Sequence, residues 1–152
     1  VVLFALDPSQ QTEISTDSGT VYDKNVVEYV GDAGYSFIDS TGKPKTVNVQ
    51  SYQLDSSQIL KLEKFLVQQA CSTDMVLDKA CAPVYKNVFM FYDADKKAIA
   101  QLHVCFQCEK TTFKPYQEYM CDFDNKVDFK ALKNFVDNIK SHSKAMPITS
   151  AL

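Results

Sequence analysis

Residues 87–108 read NVFMFYDADKKAIAQLHVCFQC, and the fold is decided here. Val88 to Tyr92 alternates β-branched, aromatic and flexible apolar residues, which suits a pleated and mostly buried strand. Asp93-Ala94-Asp95-Lys96-Lys97 is polar and supplies a turn, because an aspartate side chain bonds readily to nearby backbone amides. The chain returns as Ala98 to Phe106. Side chains on a strand alternate between faces, so His103 and Cys105 share one face while Leu102, Val104 and Phe106 share the other. The stretch predicts a β-hairpin whose second strand runs into a cysteine pair.

Cys105-Phe106-Gln107-Cys108 admits three readings. A redox dithiol normally sits at a helix N-terminus, where the dipole lowers the thiol pKa; Glu109 to Pro115 starts no such helix. Half of a zinc site would need completion by Cys81, Cys121 or His103, since zinc takes about four N/S ligands. The third reading is structural, with each cysteine buried or joined to a distant partner. It is the favoured one, because a bond between Cys105 and Cys108 themselves would need a bulge or turn.

The residues Asn87, Phe91, Asp93, Lys97, Cys105, Phe106 and Cys108, flanked by Cys81 and Cys121, resemble an uncharacterised family of small, often exported bacterial proteins. Its members carry a hairpin ending in a C-F-x-C motif. The resemblance spans roughly residues 53–139 and implies a layout: helix, cysteine-containing loop, hairpin, further cysteine and C-terminal helix. It implies no reaction. The family often has a Pro-Arg pair soon after its first cysteine; this chain has Cys81-Ala82-Pro83-Val84-Tyr85-Lys86, so no role of that arginine carries over.

Outward from the hairpin, Asp55 predicts a helix start. It is a good N-cap, Gln58 completes a capping box, and Leu54 can staple onto Ile59. Ile59, Leu62, Phe65 and Leu66 form an apolar stripe, with Lys61 and Lys64 outward and the helix ending near Ala70. A second helix is capped by Asn125 or Asp128 and carries the stripe Phe129, Leu132, Phe135, Val136 and Ile139. Val1 to Leu6 reads as a strand closed by Asp7-Pro8. Ser9 to Thr20 reads as loop or weak edge strand. Val26 to Val30, Tyr35 to Ile38 and Thr46 to Gln50 read as strands of an antiparallel meander, with Val47 and Val49 inward. Gly31-Asp32-Ala33-Gly34 and Asp39 to Pro44 supply the turns. The expected architecture is α+β: a mainly antiparallel sheet with two helices packed on one face. Residues 1–140 form a single domain, followed by a loosely ordered tail over 141–152.

The chain has 152 residues and a formal net charge of −3, and all 16 of its basic residues are lysine. Arginine is the usual side chain for bidentate recognition of phosphate and bases, so its absence from an acidic chain argues against nucleic acid binding. No apolar run approaches the ~20 residues of a membrane span. Five cysteines favour an oxidising compartment, hence export to the periplasm, cell surface or medium with the signal segment removed or outside this chain. The odd count leaves one thiol free or intermolecular. The spacing of Cys71 and Cys81 favours a local disulfide worth about 2–3 kcal/mol in the chain-entropy model. Cys81 with a hairpin cysteine or with Cys121 is the main rival.

Little points to catalysis. His103 and Cys105 stand side by side ~6–7 Å apart on a regular strand, beyond hydrogen-bond reach, and no oxyanion hole is marked. His142 reads as solvent-facing. Asp93 and Asp95 lack the glycine and later glutamate of a calcium loop. No glycine-rich phosphate cradle exists, and no cofactor is implied. The expected function is a non-enzymatic binding or interaction domain for a protein or small-molecule ligand. Its candidate surface is Phe113, Tyr116, Tyr119 and Phe123, should those aromatics face outward. The alternative is a zinc or thiol redox site built on Cys105 and Cys108.

Overall fold

A computed structural model describes residues 1–6, 13–16, 19–22, 27–31, 34–39, 41–46, 48–67, 81, 83–115 and 127–146. The elements in chain order are β1 (Val2–Leu6), β2 (Glu13–Thr16), β3 (Gly19–Tyr22), β4 (Glu28–Gly31), β5 (Gly34–Ser36), β6 (Val49–Gln53), α1 (Ser56–Val67), β7 (Val84–Tyr85), β8 (Asn87–Tyr92), β9 (Ala98–Cys105), β10 (Lys110–Lys114) and α2 (Phe129–His142). The fold is α+β, built on an antiparallel five-stranded sheet of order β10-β9-β8-β1-β6.

The predicted hairpin is β8–β9, with Asn87 opposite Val104 and Phe89 opposite Leu102. Its turn rests on Asp93. That carboxylate accepts the N–H groups of Asp95 (3.0 Å) and Lys97 (2.9 Å), which accounts for an aspartate here and lets Lys96 take a φ of 62°. β1 is inserted between β8 and β6. All five of its side chains are buried. That burial explains its unbroken apolar run, because a central strand covered on both faces has no side to give to water.

Alternation along the strands divides the core. Leu3, Ala5, Tyr52, Phe89, Leu102 and Val104 face the helices and meet Leu62 of α1 and Phe129, Leu132, Phe135, Val136 and Ile139 of α2. Both helices therefore pack on one face. Ile59, Phe65 and Leu66 complete the α1 stripe as partly buried side chains against the same cluster. The α1 capping box forms as read: Gln58 N–H donates to Asp55 Oδ1 (2.8 Å) and Asp55 N–H to Gln58 Oε1 (2.9 Å). Asp128 caps α2, accepting from Ala131 N–H at 2.9 Å.

The opposite face holds Val2, Phe4, Leu6, Val49, Val88 and Met90, packed against Val27, Phe37, Ile38 and Val84. Its cover is a three-stranded sheet of order β4-β5-β7, in which β5 and β7 run parallel. Residues 26–50 are therefore not one meander. β4 and β5 pair antiparallel as expected, but the third strand leaves them, starts at Val49 rather than Thr46, and joins β1. The turn explains the departure. Asp39 gathers the N–H groups of Thr41 (2.8 Å) and Lys43 (2.9 Å), and Lys45 N–H returns to Phe37 O (2.8 Å). The segment folds back on itself, and the next apolar alternation is free to take the open side of β1. Val47 lies outside the described residues. Within Ser9 to Thr20, read as loop or weak edge strand, β2 forms and pairs antiparallel with β3.

The tail boundary also moves. α2 continues through His142, Ser143 N–H closes it on Ile139 O, and Met146 bridges to Ser51. Residues 141–146 thus belong to the fold, and 147–152 lie outside the described residues.

Candidate functional site

At the end of β9 the chain turns through Phe106 to Glu109 and re-enters the sheet as β10. Glu109 takes a φ of 48°. Cys108 is carried back over the strand end, so its N–H points at Cys105 Sγ, 3.4 Å away. Among the described residues, Cys81 and Cys108 form a disulfide, with Cα atoms 5.8 Å apart. The pairing favoured by spacing, Cys71 with Cys81, gives way to its rival for a topological reason. β7 pairs with β5 and sets buried Tyr85 against Cys105 and Cys108, with Cys81 packed at the edge of that group. Cys81 lies only four residues before Tyr85, so β7 delivers it to the CFQC turn. Cys105 is a buried free thiol. Cys71 and Cys121 lie outside the described residues.

Two of the sulfurs required by the zinc reading are thus joined to each other. Among the described residues, no three His, Cys, Asp or Glu side chains converge as metal ligands. Nor does His103 pair with Cys105. Its Nδ1 lies 2.9 Å from Ser36 Oγ and its Nε2 lies 2.8 Å from Gln101 Oε1. The neighbours assign the tautomer. Gln101 offers a carbonyl oxygen, so Nε2 carries the proton and donates. Nδ1 then accepts from the Ser36 hydroxyl, whose oxygen accepts the Ile38 N–H at 3.2 Å.

Ser36 and His103 are both fully buried, and Tyr85 meets the imidazole edge-on at 5.7 Å. Burial, helped by the charge of Lys114, lowers the His103 pKa to about 3. The Ser–His–Gln chain is therefore neutral at physiological pH and sealed from solvent. Gly42 helps to seal it: a Cβ there would lie 2.9 Å from Met90 Cε and 3.3 Å from Gln101 Nε2, and its φ is 86°. A serine without access and a histidine that resists protonation suit a structural polar link, not nucleophilic catalysis. Sequence reasoning weighed His103 as a partner of Cys105 and as a zinc ligand, but not as a partner of Ser36. Ser36 lies 67 residues away on another sheet, and only the alternation placing Gln101 and His103 on one face pointed toward part of the chain.

The aromatic surface divides. Phe113 is partly buried, packs against the helix-side core and lies 5.9 Å from Phe91 between ring centroids. It contributes to the core. Tyr116, Tyr119 and Phe123 lie outside the described residues.

A second surface comes from the helices. α1 and α2 lie on the same sheet face with a cleft of about 700 Å³ between them. Phe65 and Phe135 line its apolar part, with ring centroids 5.8 Å apart. Lys61, Lys64, Asn134, Asn138 and His142 supply polar lining, and Asp55, Ser57 and Gln58 add the start of α1. The outward lysines of α1, read from sequence as a solvated face, thus border a concavity. Periodicity gives which side of a helix faces the sheet, but not how far apart two neighbouring helices stand. The Asp55 carboxylate is already engaged. Bonds from Gln58 N–H and Ser57 Oγ hold it below the usual carboxylate range.

Among the described residues, no helix is long and apolar enough to cross a membrane. Comparison of the chain with family models, curated sequences and solved structures found no match.

Proposed function

We propose that the chain is a non-enzymatic binding domain of an oxidising, exported compartment, with its ligand seated between α1 and α2. The observation that carries this reading is the cleft. Its volume of about 700 Å³ falls in the range of small-molecule sites, roughly 300–1,000 Å³. Its lining joins an aromatic pair that can bury apolar surface to a rim of polar side chains that can orient a ligand. The Cys81–Cys108 bond supports the compartment, because disulfides persist where thiols are not continually reduced. The resemblance to often exported bacterial proteins, carried in part by the same cysteines, points the same way. The acidic, arginine-free composition speaks for a protein or small-molecule ligand over nucleic acid.

The test is a fragment screen on the isotope-labelled protein, read by amide chemical shifts. Binding fragments are expected to perturb residues of α1 and α2, and Phe65→Ala is expected to weaken them. Fragments that cluster elsewhere, or leave α1 and α2 unperturbed, defeat the reading.

The Cys108 N–H bond to Cys105 Sγ favours a second reading, a thiol-exchange site. In that reading the Cys105 thiolate attacks Cys108 Sγ, a Cys105–Cys108 bond forms, the Cys81–Cys108 bond breaks, and Cys81 leaves as a thiolate that takes up a proton. Non-reducing peptide mapping after incubation at alkaline pH would reveal the Cys105–Cys108 isomer. Persistence of Cys81–Cys108 as the sole linkage among these three cysteines counts against exchange.

A further inference from the structure

We propose that the α1–α2 cleft takes a small amphipathic carboxylate, its apolar body on Phe65 and Phe135 and its anionic head against Lys61 and Lys64. The inference rests on the cleft being the binding site and adds the class of ligand. It comes from charge complementarity. The whole chain is acidic, with a formal net charge of −3, yet the cleft lining carries two lysines, Lys61 and Lys64, against one carboxylate, Asp55.

Asp55 is not free to repel an incoming anion at full strength. Its Oδ1 is held by Ser57 Oγ at 2.8 Å and Gln58 N–H at 2.8 Å, and it stands at the positive end of the α1 dipole. Lys61 and Lys64 are three residues apart on one helix, so they project from the same side. Both are exposed. Asn134 and Asn138 are also exposed on the cleft side of α2 and bring amide N–H donors that suit a carboxylate.

The apolar end is equally defined. Phe65 is only partly buried, which leaves aromatic surface for a ligand to cover, and Phe135, 9% exposed, stands beside it as the floor. Burying about two or three methylenes or a ring there would supply most of the affinity, at roughly 0.8 kcal/mol per CH₂. The lysines would then select charge, since a partly desolvated ion pair is screened less than one in bulk water. A carboxylate with an aryl or alkyl body matches both ends.

The probes are 4-phenylbutyrate and its uncharged primary amide, 4-phenylbutanamide, titrated into the full isotope-labelled chain. The carboxylate is expected to shift amides of α1 and α2 and to bind at least tenfold tighter than the amide. The double variant K61Q/K64Q is expected to erase that difference. Phe65→Ala is expected to weaken both probes alike. Because both lysines are exposed, the double variant should retain the wild-type spectrum away from α1, which separates lost binding from lost fold. Equal affinity for the two probes, or a double variant that still prefers the carboxylate, overturns the ligand class and leaves the cleft reading standing. Shifts outside α1 and α2, or none with either probe, overturn both.

Discussion

Both faces of the central sheet are closed by apolar clusters, but only beside β9 on the face away from the helices are a buried imidazole link and a disulfide added. On the helix side, β9 offers Leu102 and Val104 to the apolar stripes of α1 and α2, with one polar bond at the margin from Lys140 to Asn87. On the other side the same strand offers Gln101, His103 and Cys105. There the cover packs through the apolar cluster around Val27, Phe37, Ile38 and Val84, and it is tied to β9 by one hydrogen bond, Ser36 to the His103 imidazole, and by a disulfide at the strand end. Apolar burial is non-directional and roughly proportional to area, so it tolerates small shifts of a helix. A buried imidazole needs donor and acceptor at fixed places, since an unmet polar group costs about 1–3 kcal/mol. The helix layer can therefore shift slightly and still be stable, while the imidazole fixes where Ser36 must sit against β9.

The comparison can be broken first on the helix side. Phe89 is fully buried between the sheet and Phe135, with ring centroids 6.4 Å apart and planes nearly parallel. Phe89→Ala should cost about 3–5 kcal/mol by lost transfer energy plus cavity, measured by urea unfolding. A loss under about 1 kcal/mol would mean that the helix layer collapses into the void. Next comes the staple. The bond closes a sequence separation of 27 residues, so C81S should cost about 3.5 kcal/mol in the chain-entropy model. The double variant C81S/C108S should cost no more than C81S alone. Additive losses would show that each cysteine packs as well as bridges.

The polar link gives a pH signature. An unfolded His103 titrates near its ordinary value of 6.5, while the folded one stays neutral down to about 3. Between those values the unfolded state binds the extra proton, so stability falls as pH falls, by at most about 1.4 kcal/mol per pH unit. From pH 7.5 to pH 5 the loss from this group is about 2 kcal/mol. His103→Gln should flatten that part of the profile, although its absolute stability falls. An unchanged slope in the variant would transfer the acid sensitivity to other groups. The smallest effect belongs to the helix side again. Asp128→Ala removes the bond to Ala131 N–H and should cost about 1 kcal/mol, seen as a modest drop in melting temperature. Replacement by Asn should restore most of it.

The same division decided what could be read beforehand. The helix face was legible because its signals are local and periodic. Asp55 with Gln58, the stripe Phe129 to Ile139, and the alternation of Leu102 and Val104 each lie within a few residues of one another. The hairpin turn was legible for the same reason, through Asp93. The other face depends on contacts between distant segments. Nothing near Ser36 marks it as the partner of a histidine 67 residues away. Nothing near Cys81 selects Cys108 over Cys71 until β7 is known to lie beside β5. The strand read over Thr46 to Gln50 departs for the same reason, lying at Val49–Gln53 beside β1. A half-buried strand announces its buried side chains but not the strand it will join. The cleft was half legible: Lys61 and Lys64 were correctly outward, but the neighbouring helix that turns an outward face into a wall lies more than sixty residues along the chain.

The Cys81–Cys108 bond also has a mechanical consequence. A chain pulled from its ends extends by at most about 3.3–3.6 Å per residue. The 27-residue separation between these cysteines is short-circuited to 5.8 Å between Cα atoms, so roughly 90 Å of contour is withheld under oxidising conditions. β1, β6 and both helices lie outside that closed loop, and force can draw them out one after another. β7, β8 and β9 lie inside it. A tether anchored at either end would therefore stretch to a fixed limit with the central hairpin still closed, and would lengthen further only after reduction.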